Sequence, residues 1–215
     1  MPRRRNAPRP ADGWTRGELA TLRRLDSPGR IQEFLDGLAY RAEDAPGSPR
    51  RVLAERRAHC YDGALFAAAA LRRLGHPPLL LDLQAVRDDD HVLAVFRARG
   101  HLGALAKSNF VGLRFREPVF RTLRELVLSY FESYFNLEGE KTLRAFSGPF
   151  DLSRFDRLDW TFRDDALPHI AERLDGSLHF RILKPGMERA LLRVDSRSMR
   201  AGMVDTDPAG LHAAG

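Results

Sequence analysis

A single cysteine, Cys60, serves a chain of 215 residues. That count excludes an intramolecular disulfide and suits a reducing compartment. No Cys-x-x-Cys or His-x-x-x-His pair is present, so nothing offers the usual tetrahedral zinc ligands, and neither a metal nor another cofactor is expected. Long apolar runs are missing too. The longest, around Ala64 to Leu71, falls far short of the roughly 20 residues that span a bilayer. The basic opening MPRRRNAPRP is not followed by the roughly 7–15 apolar residues of a signal peptide. No internal repeat is visible. A cytoplasmic protein with no membrane partner is the expectation.

What the chain has is an ordinary globular balance. Apolar residues make up 43% and charged residues 30%, which excludes wholesale disorder. The net charge of +6 and pI near 10.1 resemble a nucleic-acid footprint, yet Arg3, Arg4, Arg5 and Arg9 crowd the opening, Pro-rich segment. Elsewhere Arg is interleaved with Asp and Glu, as in TLRRLD and ALLRVDSRSMR. The expectation is a disordered basic tail over residues 1–13 and an ion-paired, solvated surface, with nucleic acid disfavoured as a partner.

Punctuation along the chain predicts its elements. Thr15 with Glu18 forms a capping-box signal for a helix through TRGELATLRRLD, and Ser27-Pro28 restarts one through RIQEFLDGLAY. Ser48-Pro49 opens another. From Cys60, the positions Ala64, Ala67, Leu71 and Leu74 share one helical stripe, ended by Gly75 and Pro77-Pro78. LLLDLQA reads as a strand and RDDD as a polar turn. HVLAVFRA and GALAKSN read as two strands joined around Arg99-Gly100. A helix is expected over about 119–134. In the last third, helices over about 166–174 and 187–203 follow an aromatic-rich approach, and a helical cap over a cleft is the expected role.

A thiol nucleophile must be a thiolate, with a base in reach and that base held in one orientation. Cys60 sits at a helix start, where unpaired N–H groups and the positive dipole end favour the anion. His91 opens a strand whose edge can face that helix end. A hairpin centred on Gly100 puts position 91 opposite Asn109, with Cβ atoms roughly 4.5–5.5 Å apart. An amide oxygen there can fix the histidine tautomer. A slip of one residue presents Ser108 instead. Gln32 and Gln84 are both conceivable oxyanion donors, and the residues do not choose between them.

HCYDGALFAAAALRRLGHPP resembles the nucleophile helix of the transglutaminase-like superfamily, with its Cys-x-Asp start and Leu-Arg-x-Leu-Gly-x-Pro end. Cys60, Asp62, Leu71, Arg72, Leu74, Gly75 and Pro77 stand in those places. HVLAVF resembles the family's second block, and His91 matches its catalytic histidine. The third block normally supplies an aspartate, and AKSNF stands there instead. RIQEFLDGLAY resembles the helical lead-in of bacterial transglutaminase-like proteins. The resemblance covers roughly residues 48 to 110.

This resemblance implies an α+β fold with a papain-like core, in which the nucleophile helix packs on an antiparallel sheet with helical flanking segments. The expected organisation is a transglutaminase-like domain over 14–136 and a mostly helical extension over 137–215. The implied activity is cysteine-dependent amide hydrolysis or acyl transfer through a thioester, on a peptide or protein substrate. Cys60, His91 and Asn109 would carry it, Ser108 being the alternative third member and Asp62 and Lys107 supporting. Asp62 suits a first-turn carboxylate that complements the dipole or binds a loop. Lys107 suits an anionic substrate or an exposed strand edge. The alternative is a degenerate scaffold of the same fold that binds a peptide or protein without cleaving it.

Overall fold

A computed structural model describes residues 13–42 and 45–211. The expected tail thus lies outside the described residues except for Gly13. The chain opens with α1 (Arg16–Arg24), α2 (Pro28–Asp36), β1 (Ala39–Tyr40), α3 (Pro49–Glu55), β2 (Arg57–Ala58) and α4 (Cys60–Arg73). Local chemistry sets the helix starts: Thr15 and Glu18 close a reciprocal capping box, and Ser27 and Ser48 accept from Arg30 and Arg51 backbone N–H groups. Gly75, at φ +92°, ends α4. Its N–H donates to the Arg72 carbonyl and that of His76 to the Leu71 carbonyl, a Schellman closure.

Next come β3 (Leu79–Ala85), β4 (His91–Ala98), β5 (His101–Leu105), β6 (Arg116–Phe120), α5 (Leu123–Leu128), β7 (Leu143–Ser147), β8 (Phe150–Asp151), α6 (Leu167–Asp175), β9 (His179–Arg181) and α7 (Ser196–Gly202). Seven strands form one sheet in the order β6-β5-β4-β3-β7-β9, with β8 added beside β3, and every pairing in it is antiparallel. The fold is α+β. β1 and β2 form a separate parallel pair, Ala39 with Arg57 and Tyr40 with Ala58, which brings Tyr40 alongside the residues before Cys60.

Alternation in β4 shows why its apolar run is continuous. Val92, Ala94 and Phe96 face one core with α4, while Leu93 and Val95 face a second core with Leu126, Val127, Tyr130 and Tyr134. A sheet covered on both faces needs apolar residues at every position. α4 is buried nearly all round, and small residues let it lie close to the sheet. A Cβ on Gly63 would stand 2.4 Å from Lys107 Cβ, so only glycine permits this approach at the helix start.

The last third departs from expectation. Residues 137–215 are not simply a helical extension on a finished core: β7 lies between β3 and β9 within the main sheet. LRAFS and HFR are too short for their period to stand out beside helix signals nearby. The helix expected over 187–203 is a 3-10 turn, Met187–Ala190, then α7. That expected over 119–134 is the end of β6, then α5 and a 3-10 turn at Phe131–Ser133. No helix among the described residues is long and apolar enough to cross a membrane.

Candidate active site

Cys60 is the first residue of α4 and is 7% exposed. Its N–H has no partner within the helix, as for any first-turn donor. Asp62, 1% exposed, fixes the approach to that turn: its carboxylate accepts from Gly47 N–H at 2.8 Å and from His59 N–H at 3.3 Å. Arg41, buried beside it, lies 3.5 Å away and also pairs with Glu55 at 2.6 Å. Asp62 therefore ties a loop to the residue before the thiol.

Two imidazoles act on the sulfur. His59 Nδ1 stands 3.4 Å from Cys60 Sγ, and His91, at the start of β4, lines the same small cleft as the thiol. Burial pushes the thiol up, but the charge and hydrogen bond of His59, followed by the weaker influence of His91, outweigh it and bring Cys60 to about 5. The thiolate's charge is the largest influence on His59, which rises to about 9 against the opposing cost of burial. The pair therefore favours thiolate and imidazolium. Sequence reasoning assigns His59 no catalytic role. Its adjacency to Cys60 was visible, but its ring direction depends on the backbone entering α4.

The orienting partner of His91 also comes from elsewhere. His91 Nε2 lies 2.8 Å from the Leu113 carbonyl oxygen. A carbonyl only accepts, so Nε2 carries the proton and Nδ1 is left as the basic nitrogen. Tyr134 sets its ring edgewise to that of His91, centroids 6.4 Å apart, and donates its hydroxyl to the Asp89 carbonyl at 2.6 Å.

The hairpin register explains what Asn109 does instead. Arg99 and Gly100, with φ of 49° and 82°, form a two-residue loop in which Ala98 opposes His101 and Ala94 opposes Leu105. Such a tight turn matches strand twist and leaves no residue at its centre. The ladder thus runs one residue off a hairpin centred on Gly100, and continued past Leu105 it would set Ser108, not Asn109, opposite His91. The Ser108 hydroxyl accepts from Phe110 N–H at 3.0 Å. Asn109 bonds to the backbone of Asp207 and Gly210.

Lys107 is buried, and its ammonium donates to the Leu38 carbonyl at 2.5 Å, away from the thiol. Burial lowers its pKa, partly offset by Asp36. Gln32 exchanges both amide bonds with the Ala106 backbone, and Gln84 lies in β3 opposite Ala145. Neither lines a cleft at Cys60.

Cys60 and His59 stand between two clefts. The larger, about 580 Å³, has Asp82, Asp90, Glu172 and Asp175 in its wall and, among the described residues, no Lys or Arg. α6 supplies part of that wall. The smaller, about 40 Å³, holds His91, Ser108, Asn109, Tyr40 and Gly210. Among the described residues, no group of three or more His, Cys, Asp or Glu side chains is arranged to hold a metal ion. Compared with known proteins, the chain matches no family model and shows no significant similarity to any curated sequence.

Proposed function

We propose that this protein is a cysteine-dependent amide hydrolase or acyltransferase of transglutaminase-like, papain-like architecture, acting on peptide or protein amides through a thioester on Cys60. The observation that carries the reading is Cys60 at a helix start, flanked by two imidazoles, one with its tautomer set by the Leu113 carbonyl. The resemblance of the Cys60 helix and the His91 strand to the superfamily supports the same chemistry. A main-chain carbonyl can do the orienting work that the family gives to a carboxylate, because either accepts the Nε2 proton.

The roles follow from the atoms. His59 holds the thiolate by charge. Sγ attacks the amide carbon, a C–S bond forms, and the carbonyl electron pair moves to oxygen, where the Cys60 N–H stabilises it. The intermediate collapses with cleavage of the C–N bond. The His59 imidazolium, which carries the thiol's proton, gives it to the departing amine, and Nδ1 of His91 stays free to take one from the next nucleophile. Water or a second amine, deprotonated by His91, then displaces the thiolate.

The test is acylation by p-nitrophenyl acetate, followed by intact mass and product release. A stoichiometric burst with an acyl adduct, absent in Cys60→Ala and no longer turned over in His91→Ala, is the expected result. No adduct, together with a thiol titrating near the free value of about 8.5, would replace this reading with the non-cleaving, peptide-binding scaffold.

A further inference from the structure

The segment Asp207–Leu211, with its 3-10 turn at Pro208–Gly210, closes over the smaller cleft. Asn109 holds it by three bonds. Its Nδ2 donates to the Asp207 and Gly210 carbonyls at 2.9 and 3.1 Å, and its Oδ1 accepts from Asp207 N–H at 2.8 Å. All three reach main-chain atoms, so this contact reads backbone rather than side chains. Gly210 lies on the Tyr40 ring, where an added Cβ would stand 2.2 Å from Cε1 and 2.4 Å from Cδ1. Only glycine fits there. Gly210 also lines the same cleft as Cys60, His59 and His91.

The segment is delivered from an anchored base. Val194 N–H donates to the Gly139 carbonyl, Asp195 caps α7, and Gly202 packs on the Phe135 ring. Its departure would not require α7 to move.

We propose that Asn109 and Tyr40 form a peptide main-chain subsite beside the thiol, and that the chain's own Asp207–Gly210 segment fills it as an intramolecular stand-in. The ligand class is a peptide with a turn-forming main chain and glycine over Tyr40. Its meaning for substrate entry rests on the catalytic reading of Cys60, whereas the binding itself does not.

Gly210→Val in the full-length chain ejects the segment, because the new side chain collides with Tyr40. The probe is a fluorescein-labelled peptide of residues Thr206–Leu211, followed by anisotropy. A tethered competitor acts at roughly millimolar effective concentration, so Gly210→Val should bind the probe at least about ten-fold more tightly than the wild type. Adding Asn109→Ala should abolish that binding. A second measurement needs no ejection: the Asp207 amide should resist hydrogen exchange in the wild type and lose protection in Asn109→Ala. Equal probe affinity in wild type and Gly210→Val, binding that survives Asn109→Ala, or an unprotected Asp207 amide would each overturn the proposal. Loss of probe binding with a low thiol pKa retained would sink this subsite alone. An ordinary thiol pKa with probe binding retained would sink only the catalytic reading.

Discussion

His91 donates its Nε2 proton to the main-chain carbonyl of Leu113 at 2.8 Å, across 22 residues of sequence. The acceptor is a main-chain carbonyl and not a side chain, so the usual route of mutating the third member of a triad does not apply. The carbonyl instead depends on the 3-10 turn Val111–Leu113, and that turn depends on Gly112, where an added Cβ would meet Ser133 Cβ at 2.3 Å.

Gly112→Ala should push the turn off Ser133 and free the His91 ring. By ¹⁵N-NMR the wild-type His91 should be the Nε2–H tautomer when neutral, and Gly112→Ala should show a mixture. An unchanged single tautomer would mean that the Leu113 carbonyl does not set it.

The thiolate–imidazolium pair has a defined pH window. Cys60 is depressed to about 5, so its contribution to stability is full above its unfolded pKa and lost as pH falls through about 5. His59 is raised to about 9, so its contribution is full below its unfolded pKa and lost as pH rises through about 9. Iodoacetamide labelling of Cys60 should therefore titrate near the lower limit. His59→Ala should move that midpoint up, and by more than His91→Ala does, following the order of their influence on the thiol. A midpoint unmoved by His59→Ala would rule out the pair.

Gly63→Ala tests the approach of α4 to the sheet. Its Cβ would overlap Lys107 Cβ at 2.4 Å, and overpacking of this kind costs about 1–3 kcal/mol. Urea unfolding should show that loss with the slope unchanged. A change within about 0.5 kcal/mol would mean the helix start has room to yield.

The carboxylate wall of the larger cleft should sort reagents by charge. Asp82, Asp90, Glu172 and Asp175 line it with no Lys or Arg beside them among the described residues. 2-Aminoethyl methanethiosulfonate should modify Cys60 at least about ten-fold faster than the 2-sulfonatoethyl reagent at low salt. The ratio should shrink as salt screens the wall, and again in Asp175→Asn with Glu172→Gln. Equal rates for the two reagents would show that entry does not pass the acidic wall.

Much of the first half was legible because its signals are local. Thr15 with Glu18, Ser27-Pro28, Ser48-Pro49 and Gly75 each act on backbone groups within four residues, and each does so in the structure. The start of α4 at Cys60 and of β4 at His91 were likewise readable. The hairpin failed by one residue because loop length, not the identity of its glycine, sets the register. The last third failed because β7 and β9 are short and draw their stability from neighbours distant in sequence.

By itself the sequence determined where the helices of the first half start, the apolar run of β4 and the placing of a thiol and an imidazole at the starts of two successive elements, since propensity, capping and periodicity operate over one or two turns. Only the tertiary structure decided which imidazole meets the sulfur at 3.4 Å, which carbonyl holds His91, and why Asn109 clasps Asp207 and Gly210. Those contacts join residues up to 101 apart, and no local rule specifies which main-chain group will arrive from that distance.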